Sequence, residues 1–339
     1  MSDADRQRSP IYYLCKEAHS YTIGAFLRDY PIAVADDVRI VPYERLASTG
    51  WFRPGAFIFT DFERLGPAEQ ALAQRFWDAI GEQNPALPRL NRPRSVLPRF
   101  EMLCALREAG LNSVRVHRVP DRHQIARFPV FIRWGDTNQG MPLTRLIPDA
   151  NVLERALAHI APEVRSHPDL MIVEFRNSAG RDGKYRRYSA YRVGDCIYGQ
   201  HCRIGKDWFA RFTGQDRGEA ERAESAGYMA ANPHADRLAG YFDVAGVRYG
   251  RADYYMSNGR IEVLDITTNP LVVADRDHPD AAVYARLHDA AMRSLVVERP
   301  GPHVRLPDDA RVEVDGIHAE VLKMRYDPRT AAASEPNAA

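Results

Sequence analysis

The dipeptide Asn258-Gly259 separates two runs of strand-forming residues, 250–257 and 260–270, and so marks a β-hairpin. Each arm carries an aspartate, Asp253 and Asp265, among apolar neighbours. A carboxylate in such a strand needs a partner. Register decides what the two acids can do together. A two-residue loop sets them on opposite faces of the sheet. A three-residue loop over 258–260, with Gly259 left-handed, pairs Ser257 with Ile261 and sets Asp253 directly opposite Asp265. Thr267 then shares their face, across from Arg251. Opposed carboxylates repel unless a cation lies between them. A divalent ion with hard oxygen ligands is one solution, with Arg251 as a second positive charge beside it. A structural ion pair between Arg251 and one aspartate is the other, and spacing leaves both open.

The chain has 339 residues, enough for a large core divided into two or three lobes. It is 45% hydrophobic and 27% charged, with a net charge of +1. That balance speaks against nucleic-acid and membrane-surface roles. Lys16, Lys184, Lys206 and Lys323 are its lysines, so arginine can stand where other proteins use lysine. Cys15, Cys104, Cys196 and Cys202 are scattered and form no CxxC pair. The polar opening, with no signal peptide and no run of membrane-spanning length, sets the expectation of a reducing, cytoplasmic compartment.

Along the chain, strand-like runs alternate with helical patterns, which predicts an α/β protein. Residues 1–91 read as a small N-terminal α/β domain: strands at "IYYLC", "RIVPY" and "GAFIFTDF", and a helix at "GPAEQALAQRFWDAIGEQ" whose buried face includes Ala71, Phe76 and Ile80. Residues 92–175 form a second unit. Its helix places Phe100, Leu103, Cys104 and Leu106 near one face, and strands follow at "SVRVHRV", "FPVFIRW" and "LMIVEF" around a helix capped by Asn151. Residues 176–297 hold two strands about a "VGD" turn, helices near 216–230, 234–245 and 280–296, and the hairpin. Residues 298–326 read as an appended piece with a turn at Asp315-Gly316. Residues 1–10 and the tail 327–339 read as disordered ends.

The hairpin "RADYYMSNGRIEVLDITTNP" resembles the signature of the ATP-grasp superfamily, an acid on one strand followed by a carboxylate-x-Asn on the next. "FPVFIRWGDTNQG" resembles its strand and flexible phosphate loop, and "MIVEF" its adenine hinge. The stretches "LNRPRSVLPRFEMLCALREAGLNS", "KYRRYSAYRVGD" and "LDITTNP", taken in order, are similar to a group of uncharacterised bacterial ATP-grasp proteins over residues 40–275. The resemblance implies an ATP-grasp architecture binding ATP and Mg²⁺. It implies that Asp253 and Asp265 hold the metal, with Arg251 stabilising the oxyanion of acyl transfer. It puts Arg133 on the α/β-phosphates, Gly140 in the lid, and Glu174 and Phe175 at the adenine. Two departures stand out: the second acid is Asp rather than Glu, and Thr267 replaces the Asn, a shorter donor that implies a looser second ion. Asn269 substitutes for it only if the chain bends after the strand. The implied activity is ATP-dependent ligation of a small-molecule carboxylate to an amine through an acyl phosphate, in a chain that allows a homodimer. Phosphoryl transfer of the kinase kind and a catalytically degenerate nucleotide-binding module are the alternatives.

Other candidates read more plainly. Arg186, Arg187 and Arg192 suggest either an anion clamp or a solvated strand face, and the odd spacing of Arg187 and Arg192 keeps them out of one pocket. His201 and Cys202 lack a third partner for a nucleophile. His117, His123 and His234 read as surface or helix-cap residues. "GDTNQG" lacks the Gly-Lys-Ser/Thr ending of a P-loop.

Overall fold

The computed structural model describes residues 8–135, 141–209, 218–273, 280–297 and 301–306. The loop ending at Gly140 and the turn at Asp315-Gly316 lie outside the described residues.

The N-terminal unit comprises β1 (Ile11–Cys15), α1 (Tyr21–Asp29), β2 (Val38–Pro42), β3 (Trp51–Phe52), β4 (Ala56–Phe59), α2 (Pro67–Gln83) and β5 (Arg89–Leu90). Four of these strands form a parallel sheet in the order β2-β1-β4-β5. Strand residues alternate between two cores, as the two-residue period requires. Tyr12, Leu14, Phe57 and Phe59 meet the apolar side of α2. That side is Leu72, Ala73, Phe76 and Ile80, spaced one helical turn apart, and Ala71 is exposed, contrary to expectation. Ile11, Tyr13 and Ile58 point the other way, toward Ile23 and Phe26 of α1. Ser9 and Pro10 are buried and Pro10 accepts a hydrogen bond from Ala56, so the ordered chain begins before residue 11.

The middle unit has α3 (Arg99–Glu108), β6 (Val116–Arg118), β7 (Val130–Trp134), α4 (Ala150–His159), α5 (Pro162–Arg165) and β8 (Leu170–Glu174). Its antiparallel sheet runs β6-β8-β7. On α3 the buried apolar side chains are Met102, Leu103 and Leu106, with Phe100 and Cys104 half-buried, and Arg99 is buried as well. Asp149, not Asn151, caps α4 by accepting from the Val152 amide at 2.9 Å.

The last unit holds β9 (Tyr185–Val193), β10 (Cys196–Gly205), α6 (Glu219–Ala231), α7 (Ala235–Val244), β11 (Tyr249–Ser257), β12 (Arg260–Thr267) and α8 (Ala281–Arg293). Its sheet is antiparallel in the order β10-β9-β11-β12. β13 (Val304–Arg305) pairs antiparallel with β3 of the N-terminal unit. Two features bind the units together. One core runs from Ile11 and Tyr13 to Val193, Tyr249, Ala285 and Met292. The buried Asn91 amide donates to Phe59 and Tyr249 carbonyls while its oxygen accepts from the Arg248 and Tyr249 amides.

Candidate functional site

The hairpin turn is the two-residue one. Asn258 and Gly259 both have positive φ, 51° and 76°, and Ser257 pairs with Arg260. Yet Asp253 stands directly opposite Asp265, and Arg251 opposite Thr267. A β-bulge reconciles the two. Tyr254 pairs with Val263 and Asp253 with Asp265, so Leu264 is the additional residue. The three-residue loop expected from sequence is therefore not used, although the pairing it was meant to produce is present. Gly250 is needed here, because a Cβ on it would lie 2.6 Å from the Thr267 carbonyl oxygen.

Both acids are buried, and arginines surround them. Asp253 pairs with Arg187 at 2.9 Å and with Arg251 at 3.2 Å, and accepts from Ser189 Oγ at 2.5 Å. Burial opposes its charge. Arg251 and Arg187 outweigh that cost and hold the carboxyl well below the usual range. Arg99 grips both oxygens of Asp265, with Nε at 2.8 Å and Nη2 at 2.5 Å. Burial opposes that charge too, and Arg99, then Arg133, lower the Asp265 pKa in spite of it. Thr267 Oγ1 donates to Asp265 at 3.5 Å. Asn269 does not join the pair. Its amide oxygen accepts from Tyr13 at 2.7 Å and Thr22 at 2.5 Å, which commits it to the N-terminal unit. Thr268 beside it is held by Glu63.

A narrow cleft opens next to this cluster. Phe131, Phe175, Trp208 and Leu264 line it with Arg133 and Arg187. Trp208 packs 5.0 Å from Phe131 and 5.3 Å from Phe175, ring centre to ring centre. Glu174 reaches the cleft at the end of β8. Its Oε1 meets His117 Nε2 and the Ala126 amide, both at 3.0 Å, while Oε2 has no hydrogen-bond partner among the described residues. His117 is thus a buried partner of Glu174, not a surface residue. His123 is exposed, and His234 precedes α7 and meets the Tyr254 hydroxyl at 2.9 Å.

The basic strand β9 divides as its spacing demands. Arg187 turns to Asp253, Arg186 turns to Asp182 and Glu224 while also lining the cleft, and Arg192 bonds Asp243. His201 bonds Ser189 Oγ at 3.0 Å. Burial, then Glu224, pushes the Cys202 thiol up to about 12, which removes it as a nucleophile. Two residues of the cluster escaped sequence reasoning, Arg99 and Ser189. Arg99 carried a usable signal. It is the first residue of α3, where the helix dipole disfavours a cation, so a buried arginine there needs an acid from elsewhere.

The residues as they stand do not suit a free divalent ion. The guanidinium groups of Arg99, Arg187 and Arg251 outnumber the carboxylates of Asp253 and Asp265, and Arg133 adds to them. Among the described residues no group of three or more His, Cys, Asp and Glu side chains is placed to hold a metal. The same cluster suits a polyanion. Arg187 Nε and Nη1 are buried donors without partners among the described residues.

No protein-family model matches the chain. No curated protein sequence matches it either. Among solved structures it is similar to a D-alanine–D-alanine ligase from Bacillus anthracis, at 12% identity over 85% of this chain and 97% of that one, with a TM-score of 0.51. It is also similar to a RimK domain ATP-grasp protein from Sphaerobacter thermophilus DSM 20745, at 16% identity over 83% and 98% of the two chains and a TM-score of 0.46. An L-amino acid ligase from Bacillus licheniformis is similar at 13% identity over 81% and 69%, with a TM-score of 0.44. No helix among the described residues is long and apolar enough to cross a membrane.

Proposed function

The chain has the ATP-grasp fold, and from that premise we propose that it is an ATP-dependent ligase joining a small carboxylate to an amine. The observation that supports this reading is the union of an aromatic cleft with a buried arginine cluster at its end. Phe131, Phe175 and Trp208 offer stacking surface to a heterocyclic base. The orphaned Oε2 of Glu174 accepts a base amino group. Arg133 and Arg187 take phosphate oxygens.

The chemistry divides into two displacements. A carboxylate oxygen attacks the terminal phosphorus of ATP and ADP leaves, giving an acyl phosphate. The amine nitrogen then attacks the acyl carbon, inorganic phosphate departs, and the nitrogen loses its proton. Arg251, fixed by Asp253, faces the negative charge that builds on the acyl oxygen in the second step. Asp253 and Ser189 act as positioning groups for that guanidinium and its neighbour Arg187.

Release of ADP and phosphate only when both an acid and an amine are present supports this reading. Release of ADP without phosphate points to a kinase. One observation favours an inert nucleotide-binding module, namely that arginine covers both acids. That module would bind ATP and release nothing with any acid–amine pair.

A further inference from the structure

Four residues stand in one rank across the sheet β10-β9-β11-β12: His201, Ser189, Asp253 and Asp265. Each edge strand reaches that rank through a bulge. On β12 the additional residue is Leu264. On β10 it is Gln200, between the pairs Gly199–Ala190 and His201–Ser189. Without this second bulge Gln200 would oppose Ser189, and His201 would turn to the other face. His201, Ser189 and Asp253 are all buried.

The hydrogen bonds along the rank have one possible direction. Ser189 Oγ lies 2.5 Å from Asp253 Oδ1 and 3.0 Å from His201 Nε2. Against the cost of burial, Arg251 and Arg187 hold Asp253 ionised, so it only accepts, and the single hydroxyl proton goes to it. The Ser189 oxygen is left to accept, and His201 Nε2 is the donor. Burial, then Arg203, keeps the imidazole neutral, so Nε2 carries its one proton. That order excludes His201 as a base toward Ser189 and leaves it a different task. Arg251 reaches both oxygens of Asp253, and Oδ2 also receives Arg187 Nη2 at 2.9 Å. Arg187 lines the aromatic cleft, and its Nε and Nη1 are buried donors without partners among the described residues.

We propose that His201 is a positioning residue for Arg187: through Ser189 it fixes the rotation of the Asp253 carboxylate, which anchors Nη2 and leaves Nε and Nη1 to the phosphates of a nucleotide. The inference rests on the reading of the cleft as a nucleotide site, and adds to that site a residue that touches no ligand.

Calorimetric titration of the full chain with ATP, tripolyphosphate and adenosine tests it. His201→Leu removes the donor and is expected to weaken ATP and tripolyphosphate about fivefold, the scale of one hydrogen bond, while adenosine is unchanged. His201→Gln restores a donor and is expected to recover most of the loss. Placed on Arg187→Met, the His201→Leu change is expected to add nothing, because its route to the anion is gone. Equal ATP affinity in wild type and His201→Leu overturns the proposal. So does an equal loss for ATP and adenosine, which a merely structural role would give. Should His201→Leu fail to fold, Ser189→Ala cuts the same chain one link later. The same phosphate-dependent loss is then expected, and no loss overturns the proposal. Failure of the wild type to bind any of the three probes removes the nucleotide reading and the role of His201 with it. The phosphate-dependent loss in a protein that releases no ADP and phosphate with any acid–amine pair keeps His201 in its role and removes the ligase.

Discussion

Asp253 faces Asp265 across a hairpin whose turn, Asn258-Gly259, would by itself have put them on opposite sides of the sheet. The bulge at Leu264 restores the match and does a second thing. It leaves an apolar side chain beside the carboxylate, lining the aromatic cleft. One backbone irregularity thus joins the two halves of the site, the part that takes charge and the part that takes a flat ring.

The first prediction follows from Leu264. It is half-buried, lines the cleft and packs against the neighbouring core, so Leu264→Ala should lower stability by about 1–2 kcal/mol, less than truncation of a fully buried leucine. If a base lies against it, the truncation should weaken ATP binding by about 1 kcal/mol, a fraction of a full leucine burial. Calorimetric titration decides this, and an unaltered affinity would place the base elsewhere.

Arg133 supplies the second. It is buried at the cleft and its charge lowers the Asp265 pKa. Arg133→Ala should cost about 1.5–3 kcal/mol of ATP affinity, the range for hydrogen bonds to charged groups. Titrations of the variant and wild type that superimpose would remove Arg133 from the phosphate site.

Much of this arrangement could be read from the sequence, for reasons visible in single residues. β1, β4 and β8 are short apolar runs, and α2 has a helical stripe, so local pattern sufficed for them. The facing of Asp253 and Asp265 was anticipated, but by the wrong route, because a bulge has no signature in side-chain alternation and a two-residue Asn-Gly turn looks the same with or without one. Arg99 and Asp265 are separated by 166 positions, and arginines are so common in this chain that spacing alone does not pair them; only the place of Arg99 at the start of α3 pointed to a distant acid. Asn269 misled in a related way. Its partners Tyr13 and Thr22 lie in the N-terminal unit, which a reading confined to the hairpin could not bring near.

A third prediction separates charge balance from catalysis. Asp253→Asn leaves Arg187 and Arg251 buried without their shared acid, so the fold should lose roughly 3–5 kcal/mol, the cost of breaking a buried pair. The wild-type carboxyl has a depressed folded pKa, and its contribution is therefore complete above the unfolded value of about 3.9 and lost as pH falls below it. Asp253→Asn should show a shallower acid limb below about pH 4 in a denaturation series. A variant as stable as wild type, with the same acid limb, would mean that Asp253 carries no net charge interaction in the fold.

The last prediction concerns His288, on α8 at the contact between the C-terminal sheet and the N-terminal unit. Its Nδ1 meets the Tyr198 hydroxyl at 2.5 Å and its Nε2 the Tyr249 hydroxyl at 3.3 Å, and the ring is fully buried. Phe26 and Tyr191 close over it at 5.0 and 5.2 Å between ring centres. Burial pulls its pKa down to about 3, against about 6.5 in an unfolded chain. The folded state therefore keeps His288 neutral at pH 5, while the unfolded state binds a proton there. The stabilisation is complete above the unfolded value and drains away as pH falls below it, at up to about 1.4 kcal/mol per pH unit. From pH 6.5 to pH 5 this one residue should cost about 2 kcal/mol of unfolding free energy. His288→Gln keeps hydrogen-bonding capacity and cannot titrate, so its curve should lack that portion of the decline. Urea denaturation of both proteins at pH 7 and pH 5 isolates the residue, because all other titrating groups cancel in the difference. A gap between the two proteins that is the same at both pH values would show that His288 accepts a proton in the folded state as readily as in the unfolded one, and the buried neutral imidazole at this junction would have to be abandoned.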